Sequence, residues 1–456
     1  MIRFAIVGAG PAGFYTAEKL LGAGIDVDLL DALPTPFGLV RAGVAPDHPK
    51  IKNVTRVYEK TAAHERFRFY GGVELGADVQ RAELLDRYDG VVYAVGTASD
   101  NRLNVPGEDR PGSHSATEFV AWYNGHPAKA SQRFDLSTRR AVVIGNGNVA
   151  LDIARMLVLD PDELRTTDIA DHALEALARS RIEEVVVLGR RGPAQAAFTN
   201  PELLELGDLG RAEVVVDRAD VELDDDSAGW LDSPEASAGV KRNVALLRDY
   251  AARPRHGAGH RIHLRFLCSP VRLEGEDGGP VTAVRIGRNR MERGRPVPTG
   301  EEELLDCGLV IRAIGYRGAP LPDVPFDGER GTIRNAGGRV VGEDSRPLPG
   351  EYVVGWIKRG PSGVIGTNKK DAADTVARIL EDVDAGRVGE TAAAARDDVD
   401  AWLRERVPSV VMWGGWEAID RRECGDGAPQ GRPRVKLVRV REMLEVAQLA
   451  LATGGE

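Results

Sequence analysis

Cysteine is the residue this chain has least of: three in 456 residues, Cys268, Cys307 and Cys424, with no two near each other. Without a C-x-x-C pair, neither a redox-active dithiol nor a zinc or iron-sulfur site is expected, since each needs thiolates at short spacing. Long apolar runs are also missing. No stretch of 18 apolar residues occurs, so no membrane-spanning helix is expected. The N-terminus enters an apolar strand, "IRFAIV", without the charged leader and cleavage site of a targeting peptide, and the expectation is a soluble cytoplasmic protein. Positive charge is in deficit as well. A formal net charge of -10 argues against general binding to nucleic acid or to a membrane surface, and leaves local patches to be judged one by one. Length and an apolar fraction of 42% allow a sizeable core and predict two or three domains.

One motif is present twice. "IRFAIVGAGPAGFYTAEKLL" reads as a short apolar strand, a glycine-rich turn and a helix, and "RAVVIGNGNVALDIARML" repeats that layout with its first glycine 137 residues later. In the first copy Gly8, Gly10 and Gly13 fit G-x-G-x-x-G: a tight turn, close approach of backbone to a pyrophosphate, and close packing of helix on strand. In the second, Gly145, Gly147 and Ala150 give the alanine variant. The fold class expected is α/β with two Rossmann-like dinucleotide-binding domains.

The residue ending each second strand separates the two ligands. "IDVDLLDALP" brings Asp31 18 residues beyond Gly13, where a carboxylate accepts hydrogen bonds from a ribose and repels a 2′-phosphate. "EEVVVLGRRG" has no acid at its tip and instead carries Arg190 and Arg191, whose planar donors suit a phosphate. FAD is therefore expected at the first motif and NADP(H) at the second. "YDGVVYAVGTASD" and "LLDCGLVIRAIGYRG" each set an apolar strand before a glycine turn, as at crossings between two dinucleotide domains. Later, "EYVVGWIKRGPSGVIGTNKKDAADTVARIL" reads as strand, glycine-rich loop and helix, a segment expected to return to the FAD domain with its helix N-terminus near the flavin ring.

Taken together, "LPTPFGLVRAGVAPDHPKIK", "NVPGED", "VVIGNGNVALDIAR", "GRRGPAQAAFTNPEL", "RAIGYRG" and "VVGWIKRGPSGVIGTNKKDA" resemble the adrenodoxin-reductase-like NADPH:ferredoxin reductases over nearly the whole chain. The resemblance implies an NADP domain inserted into the FAD domain, with residues 1–104 and 313–456 forming the FAD-binding part and residues 105–312 the NADP-binding part. It implies FAD contacts at Gly8, Gly10, Ala12, Gly13, Asp31, Leu39, Val79, Trp356, Gly363, Val364 and Ile365. NADP contacts are implied at Asn146, Gly147, Asn148, Val149, Arg190, Arg191, Glu202 and Gly363. Two departures stand out. Asp31 occupies a position where glutamate is usual, one methylene longer, and Asn101 stands where an arginine is expected, with Arg102 one place later as the candidate NADP contact.

The resemblance further implies delivery of electrons to a separate iron-sulfur protein. NADPH gives two electrons as a hydride, a flavin can release them one at a time, and no side chain has to form a covalent intermediate. His48, in "APDHPK", is the candidate proton or hydrogen-bond partner near the flavin, with a purely structural role in its proline-flanked loop as the alternative. Glu205, three residues after Glu202 on one helix face, is a candidate extension of that relay, against the plainer reading of a solvated acidic face.

Between residues 239 and 266 lie Lys241, Arg242, Arg248, Arg253, Arg255, Arg261 and Arg265 against one acid, Asp249. Val240, Val244, Leu247 and Ala251 recur at helical spacing, with Lys241, Arg242 and Arg248 off that stripe, so the helix is expected to present a basic face to an acidic ferredoxin. The alternative is a soluble helix balanced by the acidic stretch "ADVELDDDSAGWLDSPE" before it. Other functions built on the same folds are a flavin monooxygenase, which reacts with oxygen in a buried substrate pocket, and a subunit feeding a fixed partner enzyme. The near-complete family match and the basic segment disfavour the first; the absence of cluster-ligating cysteines disfavours the second. Oligomeric state is left open by the sequence.

Overall fold

A computed structural model describes residues 2–97, 99–255, 257, 259–388 and 396–453. The chain divides into two compact units: Met1–Ser99, Asn124–Pro127 and Tyr316–Glu456 form the first, Asp100–Tyr123 and Ala128–Gly315 the second. The crossings were expected at 104/105 and 312/313. The first falls earlier because Asp100 already accepts a hydrogen bond from the Thr117 amide (3.4 Å), and the Asn101 amide donates to the Gly315 carbonyl (3.0 Å), all within the second unit.

The first unit opens with β1 (Arg3–Val7), α1 (Pro11–Gly22), β2 (Asp26–Asp31), β3 (Phe67–Gly71) and β4 (Gly90–Tyr93). Proline at the first position of α1 presets helical φ where no amide donor is needed, and the helix lays Phe14, Ala17, Leu20 and Leu21 against the sheet. Nearly every residue of β1, β2 and β4 is buried, which matches parallel strands covered on both faces. At about 1.5 to 3 kcal/mol for each fully buried aliphatic side chain, such strands dominate the stability of the unit.

The second unit contains β5 (Ser113–Ser115), β6 (Arg140–Ile144), α2 (Asn148–Val158), β7 (Glu184–Leu188), α3 (Asn200–Leu206), β8 (Ala212–Val216), α4 (Ala238–Ala252) and β9 (His260–Arg265). An antiparallel sheet follows, β10 (Cys268–Glu274), β11 (Ala283–Glu292) and β12 (Arg295–Asp306), and then β13 (Leu309–Arg312). Its main sheet has the order β5-β13-β6-β7-β9-β8, parallel throughout. One core lies on the α2 and α4 side of this sheet; a smaller one, with Val142, Ile144, Val186 and Leu188, packs it against Val284 and Ile286 of the antiparallel sheet.

The chain completes the first unit with β14 (Asn335–Ala336), β15 (Arg339–Val341), β16 (Pro347–Val353), α5 (Trp356–Arg359), α6 (Thr367–Asp384), α7 (Arg396–Arg406), α8 (Trp413–Gly427) and α9 (Val440–Thr453). Its sheet order is β14-β15-β16-β4-β1-β2-β3, with β16 to β3 parallel and β14 and β15 added antiparallel at one edge. In each sheet the strand before a glycine turn, β1 or β6, has later strands of the chain on both sides. Such reversals of strand order open a crevice at the carboxyl ends of the strands, where dinucleotides bind in folds of this kind.

Candidate functional site

At the end of β1, Gly8 takes φ 111°, and a Cβ there would lie 2.6 Å from the Ala94 carbonyl oxygen, so this turn admits only glycine. Gly10, by contrast, is extended, and a Cβ on it would meet no protein atom within 4 Å. The space beside Gly10 is therefore kept clear by the fold without being needed by it, which fits a pyrophosphate approaching the backbone at the N-terminus of α1. The second unit repeats the arrangement: Gly145 has φ 128°, and Gly147, extended at the start of α2, also faces open space.

Asp31 at the tip of β2 is committed to the first turn. Its Oδ2 accepts from the Ala9 amide (2.7 Å) and its Oδ1 from the Leu33 amide (2.9 Å). Burial pushes its pKa up to about 6 although both amides oppose the shift. Each oxygen retains acceptor capacity, so a ribose hydroxyl can add to these bonds. The shorter side chain is thus fixed by backbone donors at the turn it would serve.

The late segment reaches the same turn. Gly355, at φ 77°, brings its backbone so close to α1 that a Cβ would sit 2.7 Å from the Ala12 Cβ, and its amide donates to buried Asp371 of α6 (2.6 Å). Lys358 Nζ donates to Asp371 Oδ1 and to Thr375 Oγ1, both at 2.8 Å. Trp356 stacks on Tyr316 with ring centroids 5.5 Å apart. Gly363, Val364 and Ile365 precede α6 in an exposed loop, where the Val364 amide donates to Thr367 Oγ1 (3.1 Å) and the Val364 side chain is 58% exposed. Such an apolar side chain held in solvent beside a helix N-terminus suits a surface for a planar ring. Val79 is buried and Leu39 is 40% exposed.

His48 precedes the short helix Pro49–Lys52, with Nε2 4.0 Å from Asp47 Oδ1. Glu205 belongs to the other unit, on α3, where it faces buried Arg155 at 3.4 Å. Glu202, one turn earlier, accepts from the Thr199 hydroxyl at the N-cap of α3. The two glutamates therefore have separate local partners.

In the second unit Asn148 Oδ1 accepts from the Thr199 amide (2.7 Å) and the Asn146 carbonyl from the Ala197 amide (3.1 Å), tying the glycine turn to the segment leading into α3. Val149 packs against the core beneath α2. Arg190 is exposed and Arg191 half-buried just beyond β7, and neither guanidinium has a hydrogen-bond or ion-pair partner among the described residues. Arg102 differs: it pairs with Asp109 (2.6 Å) and Glu108 (3.6 Å) on the surface.

Of the basic segment, α4 buries Val244 and Leu247 and exposes Lys241, Arg242 and Arg248. Arg253 pairs with Asp249 (2.8 Å), Arg255 with Asp217 (3.3 Å) and Arg265 with Glu303. Arg242 and Arg248 keep no such partner among the described residues, while Lys241 donates to the Ser233 carbonyl (3.1 Å). Of the seven cations in this segment, Arg253, Arg255 and Arg265 are neutralised by carboxylates; among the described residues, exposed Arg261 on β9 and the three on α4 have no carboxylate partner.

The C-terminal helices hold residues that no sequence motif marks. Glu423 of α8, fully buried, accepts from Arg41 on Oε2 (2.8 Å) and Oε1 (2.5 Å) and from Arg434 (3.1 Å), while Lys436 donates to the Arg41 carbonyl (3.1 Å). Arg41 lies two residues after Leu39 in the short helix Leu39–Ala42, so this cluster fixes the helix that carries it. Residues 389–395 and 454–456 of the expected C-terminal extension lie outside the described residues.

Comparison with known proteins adds to this geometry. A family profile described as pyridine nucleotide-disulphide oxidoreductase matches residues 2–186. The chain is 49% identical to NADPH-ferredoxin reductase FprA of Mycobacterium tuberculosis, over 97% of its own length and 98% of the relative's. It is 42% identical to the mitochondrial NADPH:adrenodoxin oxidoreductase of Arabidopsis thaliana, over 98% and 95% of the respective lengths. The solved structure of M. tuberculosis FprA in complex with NADPH matches with a TM-score of 0.92 at 48% identity, covering 98% of this chain and 99% of that one.

Proposed function

The chain belongs to the NADPH-ferredoxin reductase family, and from that membership we propose that it passes electrons from NADPH through FAD to an acidic ferredoxin-type iron-sulfur protein. One observation carries the assignment of the two nucleotides: the two glycine turns share a geometry but end in opposite charge, Asp31 at one and, at the other, Arg190 and Arg191, which have no ion-pair partner among the described residues.

At the first turn the open space beside Gly10 and the amides opening α1 receive the FAD pyrophosphate, and Asp31 accepts from its ribose. Val79, Leu39, Trp356 and the 363–365 loop line the remainder of that site. FAD supplies the change from two-electron to one-electron transfer when bound. At the second turn Gly147, Asn148 and Val149 receive the NADPH pyrophosphate, and Arg190 and Arg191 take the 2′-phosphate, with Glu202 and the Asn146 side of the turn bounding the nucleotide. His48 serves as the hydrogen-bond or proton partner at the flavin, and Glu205 is held by Arg155 as part of the α3 surface.

Disulfide chemistry, named in the description of the matched profile, is disfavoured by this chain's thiols. Burial raises the pKa of Cys268 and of Cys424 and pushes Cys307 up to about 12, away from a reactive thiolate, and no two of the three lie close together in sequence. The acceptor is assigned to a ferredoxin because Lys241, Arg242 and Arg248 give an otherwise acidic protein a local positive face. The purified protein should be yellow with a flavin spectrum, reduce cytochrome c with NADPH far faster than with NADH at low nucleotide, and do so faster still when an acidic ferredoxin is added. A protein without flavin, or one indifferent to ferredoxin, would overturn the reading.

A further inference from the structure

Arg190 and Arg191 are adjacent, so the direction of both guanidinium arms depends on the peptide plane between them. Three successive carbonyls run through this turn. The Gly189 carbonyl accepts from the Cys268 amide (3.0 Å), and the Arg191 carbonyl accepts from the Leu267 amide (3.1 Å). Between them, the Arg190 carbonyl accepts from a side chain, Nδ2 of Asn289 (2.9 Å). Asn289 comes from β11 of the antiparallel sheet, 99 residues away in sequence and 7% exposed.

Asn289 is itself fixed from several directions. Its Nδ2 also donates to Ser269 Oγ (2.8 Å), and its backbone amide donates to the Leu267 carbonyl (2.7 Å). Leu267 has a left-handed φ of 56°, a conformation unfavourable for leucine that the turn retains. The β11-β12 register shifts between Gly287 and Asn289. Bulges of this kind redirect side chains from the regular pleat. Next to it, Arg288 donates to Asp220 Oδ1 (3.0 Å) and to the Phe266 carbonyl (3.3 Å), while Asp220 Oδ2 accepts from the Phe266 amide (3.0 Å). The antiparallel sheet is thereby joined to the turn that bears the two arginines.

We propose that Asn289 is a specificity-positioning residue for the nucleotide: by holding the Arg190 carbonyl it fixes the Arg190-Arg191 peptide and aims both guanidinium groups at one 2′-phosphate. This rests on the assignment of Arg190 and Arg191 to the 2′-phosphate. Asn289 does not touch the nucleotide. Its effect is confined to the part of the ligand that the arginines grip, since the pyrophosphate is received at Gly147, on a different strand-helix turn.

The test is calorimetric binding of 2′,5′-ADP and of 5′-AMP to the holoprotein, in wild type, Asn289→Ala, Asn289→Leu and the double variant Arg190→Ala/Arg191→Ala. Asn289→Ala removes the donor and leaves a cavity; Asn289→Leu removes the donor and refills it. Both should weaken 2′,5′-ADP about tenfold, the scale of one buried hydrogen bond, and change 5′-AMP less than about twofold. The double arginine variant should lose nearly all preference for 2′,5′-ADP. Adding Asn289→Leu to it should bring no further loss. If the arginine variant keeps its preference, the 2′-phosphate assignment is wrong. If the arginine variant loses it while both Asn289 variants keep it, or weaken the two ligands equally, the positioning role is wrong. Should Asn289→Ala fail to fold, Asn289→Leu and the unchanged flavin spectrum decide between these outcomes.

Discussion

Gly10 gives the cleanest test at the scale of single residues, because the protein leaves the space beside it open without needing it, and the proposed FAD pyrophosphate would fill that space. A valine there meets no protein atom within 4 Å of its Cβ and accepts the extended backbone. Gly10→Val should therefore fold with the thermal stability of the apoprotein yet retain little FAD. Charge-assisted bonds to the pyrophosphate contribute about 1.5 to 3 kcal/mol each, so affinity should fall by more than about tenfold. A fully yellow Gly10→Val protein would remove FAD from this turn. Asp31 yields a second test through pH. Its pKa in the free site is raised from 3.8 to about 6, so the unliganded fold binds a proton that the unfolded chain releases, and this group's contribution to apoprotein stability declines as pH rises from 3.8 to 6. In the proposed site, ribose hydroxyls would donate to the ionised form and lower that pKa. FAD affinity should then weaken as pH falls from 7 to 5, with proton release on binding near pH 6, measurable as a buffer-dependent binding enthalpy. Binding with no proton exchange at pH 6 would show that the ribose does not reach Asp31.

At the scale of elements, the helices beyond α6 belong to the flavin unit's own structure. The Val411 amide and carbonyl pair with Gly71 of β3 (2.9 and 2.8 Å), and Trp413 meets Phe14, Phe37, Phe67 and Phe69 edge-on. Glu423 joins this assembly to the Leu39–Ala42 helix through Arg41. Burial raises the Glu423 pKa, but Arg41 and Arg434 outweigh it and hold the carboxyl below its usual 4.5. A depressed carboxylate stabilises the fold fully above its unfolded pKa and loses that contribution as pH falls through the folded value. Glu423→Gln, which leaves half-buried Arg41 without its charge partner while Arg434 keeps Asp420 (2.6 Å), should cost up to about 3 kcal/mol near neutral pH. The deficit in chemical denaturation should be flat from pH 7 to about 5 and shrink below about 4.5. A deficit independent of pH down to 3 would mean that shape, not charge, is what Glu423 supplies.

For the whole molecule, the net charge of -10 sets a background against which a small positive face acts at long range. Reversing Lys241, Arg242 and Arg248 to glutamate should slow ferredoxin reduction by lowering the encounter rate, with NADPH-dependent reduction of a small neutral dye as the control. The wild-type ferredoxin rate should decline as salt rises past about 0.1 M, where the Debye length is about 10 Å, and the triple variant should lose most of that dependence. Equal losses in both assays would indicate a damaged protein. Unchanged ferredoxin kinetics would move docking elsewhere and leave α4 as a solvated helix.

The sequence by itself determined what depends on local order along the chain. Strand, turn and helix around Gly8 and Gly145 follow from a few consecutive residues, as do Asp31 and the Arg190-Arg191 pair at strand ends and the amphipathic stripe of α4. The basic segment was only half legible: its cations could be counted, but Asp217 and Glu303, which neutralise Arg255 and Arg265, are 38 residues from their partners and become visible only on folding. The reason Asp31 can stand where glutamate is usual was also hidden, since it depends on the Ala9 and Leu33 amides meeting one carboxylate. Asn289 and Glu423 belong wholly to the tertiary structure. Neither lies in a motif, because the group each one holds, the Arg190 carbonyl or the Arg41 guanidinium, is brought to it from 99 or 382 residues away. Local sequence decides where a backbone turns and which charge it presents; only long-range packing decides which buried donor or acceptor completes the bonds that keep that charge in place.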